Sequence, residues 1–143
     1  RAVNERNTLN ARDENPLTRL PGNSAIYRYA ARALAEPRRR RFAVYFDFDN
    51  FKPFNDQYGF RQGDRAILLF KDILGRDGKP ARFDLMSVSA ALIRIPAERT
   101  DITLDHISVE AAKLKALAKT SPRRFAAGIY DPDSNNASEP KLL

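Results

Sequence analysis

The chain has 143 residues and a formal net charge of +7 at pH 7, which fits one ordinary domain whose surface attracts anions such as nucleotides or nucleic acid. No apolar run approaches the roughly 20 residues that a membrane span needs, so we expect no membrane insertion of this segment. The chain has no cysteine, which excludes disulfides and thiolate chemistry and fits a reducing, cytoplasmic location.

The two ends of the chain are polar, and we expect neither to belong to the domain. Residues 1–14 begin without Met and carry no signal-peptide pattern, so they are expected to link to an upstream sensory or regulatory domain. Residues 131–143 form a polar tail with no reason to fold. The folded domain is therefore expected over residues 15–130.

Hydrophobic periodicity between these ends predicts alternating helices and strands. The first helix is capped by Asn23 and stopped by Pro37. A strand over residues 42–48 (FAVYFDF) is too apolar for a surface position, so we expect it at the centre of a sheet, buried on both faces. The later elements are predicted as helices over residues 50–58, 63–74 and 104–119 and as strands over residues 83–95 and 125–130. This order predicts an α/β fold, an α+β sandwich with helices packed on the faces of one central sheet.

Two carboxylates end the apolar strand. Asp47 and Asp49 have no basic neighbour in sequence, so they repel each other and are costly to bury. Mg²⁺ would relieve that repulsion, and Lys52, one turn beyond, could then face the phosphates of a substrate. The other interpretation is that the two acids are only the polar end of a strand and a cap for the next helix. Spacing alone does not decide between these interpretations.

Four segments carry a pattern that is recognisable as a whole. The central one runs Asp47-x-Asp49-x-Phe51-Lys52-x-x-Asn55-Asp56-x-x-Gly59-x-x-x-Gly63-Asp64. An earlier segment has the sequence NPLTRLPGN over residues 15–23, and two later ones are SVSAA over residues 87–91 and Ala118-Lys119 with Arg123. In this order they resemble the GGDEF domain family, which are nucleotide-binding domains that make or sense cyclic di-GMP in bacteria. The resemblance extends over residues 15–130 and implies a fold like that of nucleotide cyclases.

The resemblance implies a role for individual residues. Asp47 would bind Mg²⁺ through its carboxylate and Phe48 through its backbone carbonyl. Asn55 and Asp64 would hydrogen-bond the edge of guanine, and Lys52, Lys119 and Arg123 would contact the phosphates. Without the family, Asn55 and Asp64 would be interpreted as caps, and the two later cations as ordinary solvated charges.

The chain departs from the family pattern at its signature. No Gly-Gly-Asp/Glu-Glu-Phe segment follows the second helix, where the family places it on a hairpin that supplies the second metal carboxylate. A third helix is expected between that hairpin and the late strand, which residues 87–91 resemble. Either the protein lacks this block, or residues are omitted between Leu74 and Gly75. Loss of the hairpin would leave residues 42–48 with an unpaired edge and an exposed face, which favours omission.

Three functions are compatible with this sequence. The first is a GGDEF-type domain that binds GTP with Mg²⁺ or cyclic di-GMP and is degenerate or incomplete as the sequence stands. The second is an active diguanylate cyclase, a homodimer joining two GTP, whose hairpin is omitted. A nucleic-acid-binding module ranks last, because it depends only on the net charge and on four arginines at residues 38–41 that are better explained as a solvated loop.

Overall fold

The computed structural model describes residues 13–75 and 86–131, together with the side chains of all of these except residues 73–75. Within them, one compact unit contains residues 13–28, 50–75 and 86, and the other contains residues 29–49 and 87–131. The elements are α1 (Asn23–Ala35), β1 (Arg41–Asp49), α2 (Phe51–Tyr58), α3 (Phe60–Gly75), β2 (Ser87–Ile95), α4 (Leu104–Thr120) and β3 (Phe125–Ile129). No helix in these ranges is long and apolar enough to cross a membrane.

Most predicted elements are confirmed in type and order. The helix predicted to open at Gly63 begins three residues earlier, at Phe60, so Asp64 lies inside α3 and does not cap it. Residues 83–85 of the predicted second strand and the tail beyond residue 131 lie outside the described residues. The limits of the domain against the linker, at residue 15, and against the tail, at residue 130, therefore stay predictions.

The N-terminus of α1 is capped from outside the helix. Asp13 Oδ1 and Oδ2 accept hydrogen bonds from the backbone N–H groups of Ser24 at 3.1 Å and Ala25 at 2.6 Å. Asn23 was the predicted cap, but it is the first residue of the helix. A carboxylate at a helix N-terminus satisfies two free N–H groups and also interacts favourably with the helix dipole. Asp13, which the sequence placed in the linker, is therefore part of this turn.

The sheet has three strands in the described ranges, in the order β1, β2, β3. β1 pairs antiparallel with β2, and β2 pairs parallel with β3. β2 is therefore the central strand, and the prediction that residues 42–48 are central and buried on both faces is wrong. Alternate side chains of β1, Phe42, Val44 and Phe46, are 56%, 48% and 45% exposed. Within the described residues, β1 therefore lies at an edge of the sheet and carries these exposed side chains on its outer face.

The elements after α3 correct one part of the family resemblance. The resemblance assigned residues 87–91 to the family's late strand, and it left no third helix before that strand. In the structure they begin β2, which follows α3 in the chain, and α4 and β3 come after it. β2 thus holds the place in the chain order that the family gives to the signature hairpin, and β3 holds the place of the late strand. α3 also runs without a break through residues 74 and 75.

The core of the second unit lies between the sheet and α4. Alternate residues of β2, namely Ala91, Ile93 and Ile95, are buried against one side of α4, which contributes Ile107, Ala111 and Leu114. The inner face of β1 adds Ala43 and Tyr45 to this cluster. Because side chains alternate along a strand, Asp47 and Asp49 continue the same inner face toward the end of β1.

Arg41 does not behave as part of a solvated arginine loop. Its guanidinium donates to the carbonyl oxygens of Leu34 and Ala33 at the end of α1 and of Arg99 at 2.6 Å. Arg39, in contrast, forms an exposed pair with Glu36 at 2.7 Å. The prediction of a solvated loop over residues 38–41 is therefore wrong for Arg41, whose charge has a structural role.

Candidate functional site

The two strand-end carboxylates lie opposite two serines. The antiparallel register pairs Asp47 with Ser89 and Asp49 with Ser87. Tyr45 lies two residues before Asp47 on the same face of β1, and its hydroxyl is 3.3 Å from that of Ser108 on α4. The acids are therefore presented toward the side of the sheet on which α4 packs.

Hydroxyl groups satisfy one oxygen of Asp49, and the other, Oδ1, is buried without a hydrogen-bond partner. Its side chain is 6% exposed, and its Oδ2 accepts hydrogen bonds from Ser87 at 3.0 Å and Ser89 at 2.5 Å. Arg124 Nη1 lies 3.8 Å from the same oxygen, and Lys119 Nζ lies 4.0 Å from Oδ1. Two hydroxyl donors and two nearby cations allow a carboxylate to be buried at this position.

Asp47 is held by lysines of α4. Lys119 Nζ lies 2.6 Å from Asp47 Oδ2, and Lys115 Nζ lies 4.0 Å from Oδ1. The hydrogen bond from Lys119 holds the pKa of Asp47 below its usual value, against the opposing effect of partial burial and with help from Lys115. The same hydrogen bond raises the pKa of Lys119. Both groups are therefore charged at neutral pH.

The donors present do not fit a magnesium ion as the family arrangement would hold it. Mg²⁺ needs near-octahedral oxygen ligands at about 2.0–2.1 Å. Here Asp47 Oδ2 forms an ion pair with the Lys119 ammonium, and Asp49 Oδ2 accepts hydrogen bonds from two hydroxyls. β2 presents serines instead of a second carboxylate. Within residues 13–75 and 86–131, no group of three His, Cys, Asp or Glu side chains could hold a metal.

Three of the predicted nucleotide contacts lie in the first unit. Lys52 forms an exposed ion pair with Asp56 at 3.0 Å, and Asp64 is exposed on α3. Asn55 packs its Oδ1 against Gly63, where an added Cβ would lie 1.9 Å from that oxygen. This oxygen is buried and has no hydrogen-bond partner. The glycine thus leaves room for the Asn55 amide, which explains their eight-residue spacing by contact between α2 and α3.

The other predicted residues lie in the second unit. Lys119 does contact the predicted metal ligand Asp47, although as an ion pair and not through a phosphate. Phe48 lies between the two acids and pairs with Val88. Arg123 is exposed, and its backbone N–H bonds Ser121 Oγ at 3.3 Å.

Four residues of this site had no predicted role in it: Ser87, Ser89, Lys115 and Arg124. The serines alternate as Ser-x-Ser at the start of a strand, and Lys115 stands one helical turn before Lys119. Both spacings put the paired residues on one face. Neither spacing identifies Asp47 and Asp49 as the partners, because that depends on strand register and helix placement.

Comparison with known proteins gives a family and a fold. The sequence model described as "Diguanylate cyclase, GGDEF domain" matches residues 13–128. The structure is similar to the coiled coil and GGDEF domain of DgcB from Caulobacter crescentus in complex with c-di-GMP, with a TM-score of 0.69, 17% identity and coverage of 89% of this chain and 91% of that one. The GGDEF domain of the same protein, also in complex with c-di-GMP, gives a TM-score of 0.65 at 16% identity over 84% and 94% of the two chains. No curated protein matches the chain significantly.

Proposed function

The chain belongs to the family of diguanylate cyclase GGDEF domains, and we propose that it binds a guanine nucleotide as a signalling domain without synthesising cyclic di-GMP. The guanine nucleotide would be GTP or cyclic di-GMP. The domain would exchange its signal with an attached upstream domain in the cytoplasm. A homodimer would be needed only for catalysis.

One observation carries the catalytic half of the proposal. Joining two triphosphates requires that their negative charge be offset by cations held between carboxylates. β2, which follows α3 in the chain and pairs with β1, presents Ser87 and Ser89 opposite Asp49 and Asp47. The carboxylate that the family would place on the second strand therefore has no counterpart among the described residues. The loss of half of such a preorganised site costs on the order of a thousandfold in rate.

The binding half is supported by the first unit. The guanine edge presents a ring N–H and an amino group, which a carboxylate can accept together. Asp64 is exposed on α3, one residue after the glycine against which Asn55 packs. Lys52 is also exposed, although it is paired with Asp56 at 3.0 Å. The structural neighbours bound to c-di-GMP make the cyclic dinucleotide a ligand to test beside GTP.

Binding is tested by calorimetry with GTP and with cyclic di-GMP. We expect Asp64→Ala to weaken the better ligand by about tenfold or more, because a hydrogen bond to a charged group contributes about 1.5–3 kcal/mol. Asp72→Ala is the matched control, since Asp72 is also an exposed acid of α3, and it should bind as the original chain does. Equal binding by both variants, or no binding of either ligand, would contradict the proposal.

Catalysis is tested by incubating the chain with GTP and Mg²⁺ and separating products by mass-resolved chromatography. We expect no cyclic di-GMP. Turnover by a protein of 16.2 kDa would overturn the proposal. Turnover by a heavier protein would instead support the second function, an active cyclase whose hairpin is omitted from this sequence.

A further inference from the structure

The charges at the end of β1 already include a bridging cation. Lys119 Nζ lies 2.6 Å from Asp47 Oδ2 and 4.0 Å from Asp49 Oδ1. Lys115 approaches only Asp47, and Arg124 only Asp49, in both cases within 4.0 Å. Lys119 is thus the one of these three cations that reaches both carboxylates.

Lys119 is anchored at the backbone as well as through its side chain. It lies in the last turn of α4, where a cation also interacts favourably with the helix dipole. Arg124, whose backbone has a positive φ of 52°, turns back and donates from Nη1 to the Lys119 carbonyl at 2.6 Å. The residue that approaches Asp49 therefore also fixes the end of the helix that carries Lys119.

A divalent ion and this ammonium compete for the same oxygens. A metal bridging Asp47 and Asp49 would have to displace Lys119 from Asp47 Oδ2. At Asp49 it could use Oδ1, which is buried without a hydrogen-bond partner and lies 4.0 Å from Lys119 Nζ, while both serine hydroxyls remain on Oδ2. It would then lie beside Lys115 and Arg124, whose like charge opposes its binding. The serines of β2 offer no second carboxylate in compensation.

We propose that the Lys119 ammonium replaces the divalent cation at the Asp47 and Asp49 end of β1, so that this domain binds its ligand independently of Mg²⁺. The replacement of the ion stands on the second unit alone. Only the statement about ligand binding depends on the proposed function.

The first experiment uses metal without nucleotide. Mn²⁺, followed by electron paramagnetic resonance, is titrated into the full chain, into Lys119→Met and into Lys115→Met, with circular dichroism as a folding control. Lys119 is 46% exposed, so its replacement leaves the core intact. We expect no saturable site in the original chain, one site in Lys119→Met, and loss of that site when Asp47→Asn is added.

The matched control separates Lys119 from general basic charge. Lys115→Met removes the same charge one turn earlier on the same helix, and we expect it to create no site. A saturable Mn²⁺ site in the original chain that disappears in Asp47→Asn would overturn the proposal. The proposal would also fail if Lys119→Met bound no ion, or if Lys115→Met bound one equally well.

The second experiment measures the affinity of GTP and cyclic di-GMP with Mg²⁺ and with a chelator. We expect the two conditions to agree within twofold. A tenfold or larger loss of affinity on chelation would contradict metal independence. If neither ligand binds in either condition, the proposed function fails, while the Mn²⁺ titration still decides whether Lys119 replaces the ion.

Discussion

At the scale of single residues, the site is defined by how Asp49 is satisfied. Its burial would be unfavourable for an isolated carboxylate. Ser87 and Ser89 reduce that cost by donating to Oδ2, whereas Oδ1 is buried without a hydrogen-bond partner. Ser89 is fully buried, so its hydroxyl has no access to water if the acid is removed. Asp49 and Ser89 are therefore expected to depend on each other for stability.

Replacement of Asp49 should show this dependence. We expect Asp49→Ala to lower the free energy of unfolding by about 1–3 kcal/mol, because it leaves a buried hydroxyl unpaired. When Ser89 is already replaced by alanine, Asp49→Ala should cost measurably less stability, because the unpaired hydroxyl donor is gone. Urea unfolding of the original chain, the two single variants and the double variant measures the coupling energy between the two residues. Additive effects of the two substitutions would contradict the assigned contact.

Gly63 is a second residue whose role is set by one contact. In the interior of an exposed helix, Gly→Ala stabilises by about 1 kcal/mol. Here the added Cβ would lie 1.9 Å from Asn55 Oδ1, so we expect Gly63→Ala to destabilise the protein instead. Combining it with Asn55→Ala should remove most of the loss, since the clash is with a side chain. Thermal unfolding measures both, and a stabilising Gly63→Ala would exclude this packing.

At the scale of elements, Arg41 joins the end of α1 to the loop after β2. Helix ends leave carbonyl oxygens without partners, and the planar guanidinium reaches those of Ala33 and Leu34 together with that of Arg99. A lysine at this position would carry the same charge but could not span the same acceptors. Geometry, more than charge, should therefore decide stability here.

We expect Arg41→Lys to lower the free energy of unfolding by about 1–3 kcal/mol, since partly buried carbonyls lose their donors. Arg39→Lys provides the control, because Arg39 makes only an exposed pair with Glu36, and such pairs contribute about 0–1 kcal/mol. Equal effects of the two substitutions in urea unfolding would show that the Arg41 contacts do not contribute.

At the scale of the whole molecule, the core of the second unit includes Tyr130, which is 5% exposed. Burial raises the pKa of its hydroxyl, with Asp101 and Glu110 adding to the shift and Arg99 opposing it. In the unfolded chain the Tyr130 hydroxyl has a pKa near 10, which is below its pKa in the folded chain. This group therefore contributes its full stability below pH 10 and loses it progressively as the pH rises above that value.

We expect Tyr130→Phe to make unfolding less dependent on pH in the alkaline range. The stability difference between the two proteins should be constant up to about pH 9, below the unfolded pKa. It should then shift in favour of the variant as the pH rises further. Unfolding by urea at a series of pH values measures this, and a difference that is independent of pH up to 11 would contradict the burial of this hydroxyl.

The sequence by itself determined the order and type of the elements and the family, because both depend on local patterns such as the apolar run before Asp47 and the spacing from Asp47 to Asp64. It also located Asp47, Asn55 and Lys119 as residues of interest. Only the tertiary structure decided which groups meet. The register of β1 on β2 put Ser87 and Ser89 opposite the acids, and the packing of α4 brought Lys119 to Asp47 across 72 residues of chain. Among the strands in residues 13–75 and 86–131, the same pairing left β1 at an edge of the sheet. Pairing between distant segments depends on the summed packing of the whole unit, and no short stretch of sequence encodes it.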